Sequence, residues 1–335
     1  MSAETPTATD DSHCHVQLHT PPGHVLAPAV HCVYGTEPAD WPAVAALAAQ
    51  HPQDGSGDDD GCGPRACVVV PGYGVHPWHA PAVESAEPAL WRDALWQRLC
   101  TPSSSSSSGG DAPRWPLVGE IGLDSAAVDR ATGAPLDAAA QDAVFRAQWV
   151  WAVCLRRGVS VHCVRAHGAL FELCRAGEAA ERARTKQRRR RAHGSAAAAP
   201  GAEAGADAGP AMPPVVALHS YSGSADIATQ LLRLAPERYY FGFSTAVNGR
   251  SWPAALRVLA ALPRDRVLAE SDLEAADAAQ DACADIVRRI AETAWHCDVA
   301  AARAVLHENL QRFLARHNAA AIGPDALPPD SGVCA

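Results

Sequence analysis

Apolar and polar positions alternate along this chain in two periods. Short β-type runs occupy residues 25–33, 66–71, 116–121, 159–164, 215–218, 239–244 and 266–269, and each is predicted to be a strand. A weaker eighth candidate, residues 5–10, precedes His13; it has threonines but no apolar run. Between the strands, apolar residues recur at helical spacing over 137–157, 225–234 and 253–262. Two further helices, 280–296 and 299–316, close the chain. Strand–helix alternation argues for a parallel sheet with helices packed outside it. Eight strands predict an α/β fold, a single (β/α)8 TIM barrel whose functional residues sit at the C-terminal ends of the strands.

Two segments interrupt this pattern. Residues 101–114 contain an unbroken serine run, Ser103 to Ser108, followed by Gly109 and Gly110, and read as a flexible loop. Residues 176–214 begin charged, pass through Arg188-Arg189-Arg190-Arg191 and end rich in Ala, Gly and Pro. A loop of that length is expected to be disordered or functional, here as an insertion into the barrel. A shorter Gly/Asp-rich loop covers 53–63. The expected organisation is a disordered N-terminus over 1–10, a barrel over 11–318 and a tail over 319–335. Without the N-terminus and the two insertions, 272 of the 335 residues remain, close to the size of one such barrel.

Composition narrows the class. With 48% hydrophobic and 19% charged residues the chain has material for a large core, which excludes wholesale disorder. The net charge of −9 argues against a nucleic-acid binder that is basic all over, but not against a nucleic-acid enzyme with a local site. Charge is also uneven: residues 176–214 carry +3, leaving −12 on the rest. The 11 cysteines form no CxxC pair, so a disulfide-stapled secreted scaffold is not expected. The N-terminus lacks an apolar stretch and no run is long enough to span a bilayer. The expectation is an intracellular protein, cytoplasmic or nuclear or both, with no membrane partner.

The 15 histidines carry the chemistry. The first strand candidate leads to His13-Cys14-His15, the fourth ends at Glu120, the fifth gives His162, the sixth His219 and the eighth Asp272. Side chains two apart on a strand share a face, so His13 and His15 can reach one ion. A carboxylate has two oxygens, so Glu120 can bridge two ions. Four imidazoles and two carboxylates on one rim predict a binuclear metal site. Mixed N/O ligands suit Zn, Mn, Fe or Co, and Mg where water completes the shell.

These residues resemble the TatD family of metal-dependent deoxyribonucleases, within the amidohydrolase-like metal hydrolases. The likeness rests on Asp11-Ser12-His13-Cys14-His15, Gly74-Val75-His76-Pro77, Glu120-Ile121-Gly122-Leu123-Asp124, His162-Cys163-Val164-Arg165-Ala166, His219-Ser220-Tyr221-Ser222-Gly223-Ser224, Glu270-Ser271-Asp272 and Asn309-Leu310-Gln311-Arg312-Phe313. It implies His13 and His15 on one ion with Asp272, Glu120 bridging, and His162 and His219 on a second ion. The cofactors it implies are two divalent ions: Mg, Mn or Zn. Ser271 stands where the family usually has threonine, and Tyr221 where it usually has phenylalanine. Tyr221, Gly242-Phe243-Ser244 and Val247-Asn248-Gly249-Arg250-Ser251 look most like the fungal branch, which is associated with a subunit of the anaphase-promoting complex.

The resulting expectation is a deoxyribonuclease or phosphodiesterase using a water activated by two metals, with Glu120 and Asp272 as catalytic residues. Its substrate would be DNA, as single strands or ends. Arg165 can clamp a phosphate oxygen or form a loop salt bridge. His76 can contact the scissile phosphate or be a loop histidine held by Pro77. Asp124 can support Arg165 or a ligand histidine. Trp78, Trp91, Trp96 and Trp115 can stack on bases or pack a loop. Lys186 to Arg191 reads as a solvated insertion, a nuclear localisation signal or a phosphate-binding arm. Two other functions stay open: hydrolysis of an amide or ester by the same metals, and a barrel scaffold that binds a cell-cycle partner in the anaphase-promoting complex.

Overall fold

The computed structural model describes residues 8–20, 24, 26–51, 67–86, 88–103, 114–192 and 211–326. Eight strands follow one another round a single sheet: β1 (Asp11–Cys14), β2 (Val30–Tyr34), β3 (Val68–Tyr73), β4 (Leu117–Asp124), β5 (Val159–Val164), β6 (Val216–Leu218), β7 (Tyr239–Phe243) and β8 (Val267–Ala269). Every neighbouring pair is parallel. The segment after β8 nearly closes the barrel against β1. Asp272 N donates to His13 O (3.0 Å), His15 N to Leu273 O (2.9 Å), and Ser12 Oγ to Ala269 O (3.0 Å).

Helices cover the outside: α1 (Trp41–Gln50), α2 (Ala80–Ala86), α3 (Pro88–Leu99), α4 (Ala138–Cys154), α5 (His167–Ala192), α6 (Ala225–Leu234), α7 (Thr245–Asn248), α8 (Trp252–Ala261), α9 (Ala276–Arg289) and α10 (Val299–Ala320). Their starts are written in the sequence. Asp137, Ser224 and Asp298 each accept backbone N–H groups in the first turn of α4, α6 and α10. Strand residues split by parity into two apolar clusters. One lies between the sheet and the helices and includes Val33, Val69, Val118, Val161 and Phe241. The other fills the barrel interior with Cys32, Val70, Leu117, Ala217, Tyr240 and Leu268, and Leu310, Phe313 and Leu314 of α10 pack against it.

Three elements depart from the sequence expectation. The first strand is Asp11–Cys14 and not 5–10. Its polar side chains are buried because neighbours satisfy them: Asp11 accepts from Ser271 N (3.0 Å) and Ser271 Oγ (2.6 Å). Residues 9 and 10, expected within a disordered N-terminus, are packed into the fold: Thr9 and Asp10 are buried, and Asp10 accepts from Val30 N (3.0 Å). Lastly, α5 continues through the expected insertion as far as Ala192. Residues 176–192 are mostly Ala, Glu, Arg, Lys and Gln, which favour helix, and Glu178 and Glu181 are both held by Arg238 at 2.6 Å. Residues 193–210, 104–113 of the serine loop, the whole of 53–63, and the outermost parts of both termini (1–7 and 327–335) lie outside the described residues. No helix among the described residues is long and apolar enough to cross a membrane.

Candidate metal centre

The C-terminal ends of the strands bring their polar side chains to one carboxylate. Glu120 of β4 is 2% exposed. Its Oε2 faces His15 Nε2 at 3.1 Å and His13 Nε2 at 3.4 Å. Its Oε1 faces His219 Nε2 at 2.6 Å, His162 Nδ1 at 3.1 Å and His76 Nε2 at 3.4 Å. Asp272 Oδ1 lies 3.7 Å from His15 Nε2 and 3.9 Å from His219 Nδ1. Among the described residues, four sets of ligand-type atoms are each compact enough for one ion; three belong to this cluster, His13/Glu120/His219, His13/His15/Asp272 and His76/Glu120/His162, and the fourth is Asp11/Cys14/His31.

Hydrogen bonds behind the ring fix which nitrogen His15, His162 and His76 present. His15 Nδ1 donates to Tyr34 O (2.8 Å), which leaves Nε2 facing the carboxylates. His162 Nε2 donates to Asp124 Oδ2 (3.3 Å), which leaves Nδ1 facing Glu120. His13 Nδ1 pairs with Ser160 Oγ (2.8 Å), and its ring stacks between Tyr34 (4.5 Å) and His219 (4.0 Å). His76 is oriented the other way. Its Nδ1 accepts from Trp78 N (3.2 Å), so the neutral ring carries its proton on Nε2 and points an N–H at Glu120.

Burial and charge set the protonation of the metal-free cluster. Burial opposes the Glu120 charge, but His219, His76 and His13 outweigh it and hold the carboxyl well below its usual range. Burial also opposes a charged His15, yet Glu120 and Asp272 push it up to about 9. Burial brings His76 down to about 4. Burial likewise raises Asp124, but its hydrogen bonds from His162 and Trp78 Nε1 (2.7 Å) win and bring it down to about 2.

The donor set fits divalent cations. Glu120 Oε1 and both nitrogens of His219 are buried and have no well-formed hydrogen bond among the described residues, although they face one another at 2.6 Å. Buried lone pairs of this kind are costly unless a cation or a donor meets them. Imidazole and carboxylate ligands suit first-row divalent metals, and Mg where water completes the shell.

The six residues expected as ligands, His13, His15, Glu120, His162, His219 and Asp272, thus lie together, and His76 lies among them. Arg165 does not join them. It is exposed just after β5, with φ of 51°, and makes no ion pair among the described residues. Ser220 and Asp272, just after β6 and β8, also have positive φ (40° and 58°), so three strand ends on this rim carry left-handed backbone. Glu270 of the Glu270-Ser271-Asp272 motif lies behind the cluster. Its Oε1 accepts from Ser220 N and from Ser220 Oγ (2.9 Å) and lies 3.7 Å from His219 Nδ1. Its side chain fills the space over Gly242, where a Cβ would lie 2.1 Å from Oε2. Gly122 does the same for β5, since a Cβ there would lie 1.9 Å from His162 O. Ser160 was also unforeseen, though it sits two residues before His162 and hence on the same strand face. Ser271 bonds Asp11 through its hydroxyl, a bond a threonine can also make.

Known proteins give the same picture. The model of the TatD-related DNase family matches residues 65–315. The Cut9-interacting protein scn1 of Schizosaccharomyces pombe is 25% identical over 315 residues, covering 78% of this chain and 85% of its own. Among solved structures, the TatD homologue YjjV of Escherichia coli superposes with a TM-score of 0.57 at 18% identity, over 91% of this chain and 97% of its own. A TatD-family hydrolase from Entamoeba histolytica gives 0.56 at 11% identity, over 92% and 99%. At those identities the two structures speak for the fold. With the family model spanning three quarters of the sequence on that barrel, the chain belongs to the TatD-related DNase family.

Proposed function

We propose that this chain is a divalent-metal-dependent phosphodiesterase, a deoxyribonuclease that acts on single strands or ends. The observation that carries the reading is the convergence of five imidazoles on the buried Glu120 carboxylate, with Asp272 beside them. His13, His15, Glu120, His162, His219 and Asp272 would hold two ions, Mg, Mn or Zn. Such ions activate a water and neutralise charge on phosphoryl oxygens. Asp272 is placed to take the proton of the attacking water: Oδ2 lies 3.3 Å from Ser220 Oγ, and Oδ1 is turned to the cluster. Glu120 keeps the imidazoles oriented and bridges the two halves of the site. The Nε2–H of His76 is available to a phosphoryl oxygen or the leaving group. Arg165, exposed on the same rim, can reach a phosphate from solvent. With −12 on the chain outside residues 176–214, attraction of a polyanion has to be local to this rim.

Metal analysis followed by Mg- or Mn-dependent cleavage of single- and double-stranded DNA tests the reading. Cleavage that vanishes in folded Glu120→Ala and Asp272→Ala supports it. Full activity in both variants overturns the residue assignment. Bound metal without cleavage of DNA, RNA or model diesters favours a second reading, a barrel that docks a cell-cycle protein of the anaphase-promoting complex. The support for that alternative is the relative whose name describes it as Cut9-interacting.

A further inference from the structure

Of the tryptophans between β3 and β4, Trp91 and Trp96 pack on Trp151 (5.9 and 6.1 Å), and Trp115 lies under Arg157 (4.6 Å). Trp78 differs. Its side chain is 48% exposed, yet its ring is fixed at the edge of the metal-type cluster. Indole Nε1 donates to Asp124 Oδ2 (2.7 Å), and the backbone N–H donates to His76 Nδ1 (3.2 Å). The ring meets His76 edge to face at 4.8 Å and lies 6.3 Å from His162. A large aromatic surface is thus held rigid and open to solvent beside the imidazoles.

Its surroundings match a planar ligand. The Arg130 guanidinium lies 5.9 Å from the Trp78 ring centroid, close enough for cation–π contact. Arg130 sits in the loop after β4. Asp129 shapes that loop by accepting from Ala131 N (3.1 Å) and Thr132 N (2.7 Å). Exposed apolar side chains also stand on the loops after β1 and β4, at Leu18 and Val128. Aromatic faces and guanidinium planes are the groups on which unpaired bases stack.

We propose that Trp78, with Arg130 beside it, is a stacking platform for the nucleobase next to the scissile phosphate, so that the site selects an unpaired, base-bearing nucleotide over phosphodiesters in general. The inference rests on the phosphodiesterase reading and names the substrate feature that this site recognises. A base stacked on Trp78 cannot also lie in a duplex stack, so single strands and frayed ends are the preferred form.

The test is equilibrium binding of two probes to the full-length, Mn-loaded protein: thymidine 5′-monophosphate and 2-deoxyribose 5-phosphate, which lacks the base. The nucleotide is expected to bind the wild type about 5- to 150-fold more tightly, the range that base stacking on an aromatic gives. Trp78→Ala should erase that preference and change sugar-phosphate binding by less than about twofold. Trp78→Phe keeps a ring but loses Nε1, and should keep most of the preference. The proposal is overturned if the wild type binds both probes equally or neither. It is also overturned if Trp78→Ala weakens both probes alike, or if Trp78→Phe loses as much as Trp78→Ala, because the indole would then act only through Asp124. DNA cleavage by the same wild-type preparation would show that the phosphodiesterase reading survives such a failure.

Discussion

Trp78 donates its backbone N–H to Nδ1 of His76 over 3.2 Å, and this bond separates His76 from the other imidazoles round Glu120. His15 and His162 spend an N–H on Tyr34 O and Asp124, so the nitrogen each turns inward is the one that can give up its proton and serve a cation. His76 accepts behind and turns an N–H inward. It is therefore predicted to act on substrate and not to hold an ion. His76→Ala should keep the wild-type metal content while cleavage falls by about 10²- to 10³-fold, the usual cost of one lost transition-state donor. Metal analysis alongside steady-state rates checks this, and loss of an ion from the variant would make His76 a ligand.

Asp124 bonds both His162 Nε2 and Trp78 Nε1. Removing it leaves the His162 ring free to turn away from Glu120. Asp124→Ala is expected to weaken metal affinity by about 10- to 100-fold with the fold retained. Competition against a chelator of known affinity measures this, and an unchanged affinity would show that His162 is oriented by other contacts.

Gly242 leaves the space that the Glu270 carboxylate occupies. A methyl group there meets Oε2 at 2.1 Å, so the buried carboxylate has to shift away from Ser220 and Ser12. Gly242→Ala should cost about 1 to 3 kcal/mol of stability through overpacking. Denaturant unfolding reads the loss, and a variant as stable as the wild type would mean that Glu270 can move at little cost.

At the opposite end of the barrel, His317 is 1% exposed and braces two strands at their starts. Its Nδ1 accepts from Gly158 N (3.0 Å), and its Nε2 donates to Trp115 O (2.8 Å). Burial brings the ring down to about 4, against about 6.5 in an unfolded chain. The unfolded state therefore binds the proton first. The stabilisation is complete above pH 6.5 and is lost as pH falls from about 6.5 towards 4, at about 1.4 kcal/mol per unit. Between pH 7.5 and 4.5 the wild type should lose about 2 to 3 kcal/mol more than His317→Gln. Equal losses in urea unfolding would contradict the assignment.

The barrel was legible because its strands alternate with amphipathic helices; 159–164 and 225–234 match β5 and α6 residue for residue. The first strand was misplaced because Asp11, Ser12 and His13 are buried by pairing with Ser271, Glu270 and Ser160, and periodicity records only apolar burial. The gathering of the ligand-type residues was legible because each stands on or just after a strand. Which way an imidazole turns depends on partners such as Tyr34 O and Asp124, and no strand pattern encodes that. Likewise, the sequence placed four tryptophans in one region but not the one that stays exposed.

The binding of divalent metal to wild type and Glu120→Ala bears most directly on the central claim, that Glu120 organises a two-ion centre. Titration with Mn should give two ions per wild-type chain. The Glu120→Ala protein, with its fold confirmed by circular dichroism, should bind at most one ion, and weakly. Two tightly bound ions in Glu120→Ala, or none in the wild type, would contradict the claim.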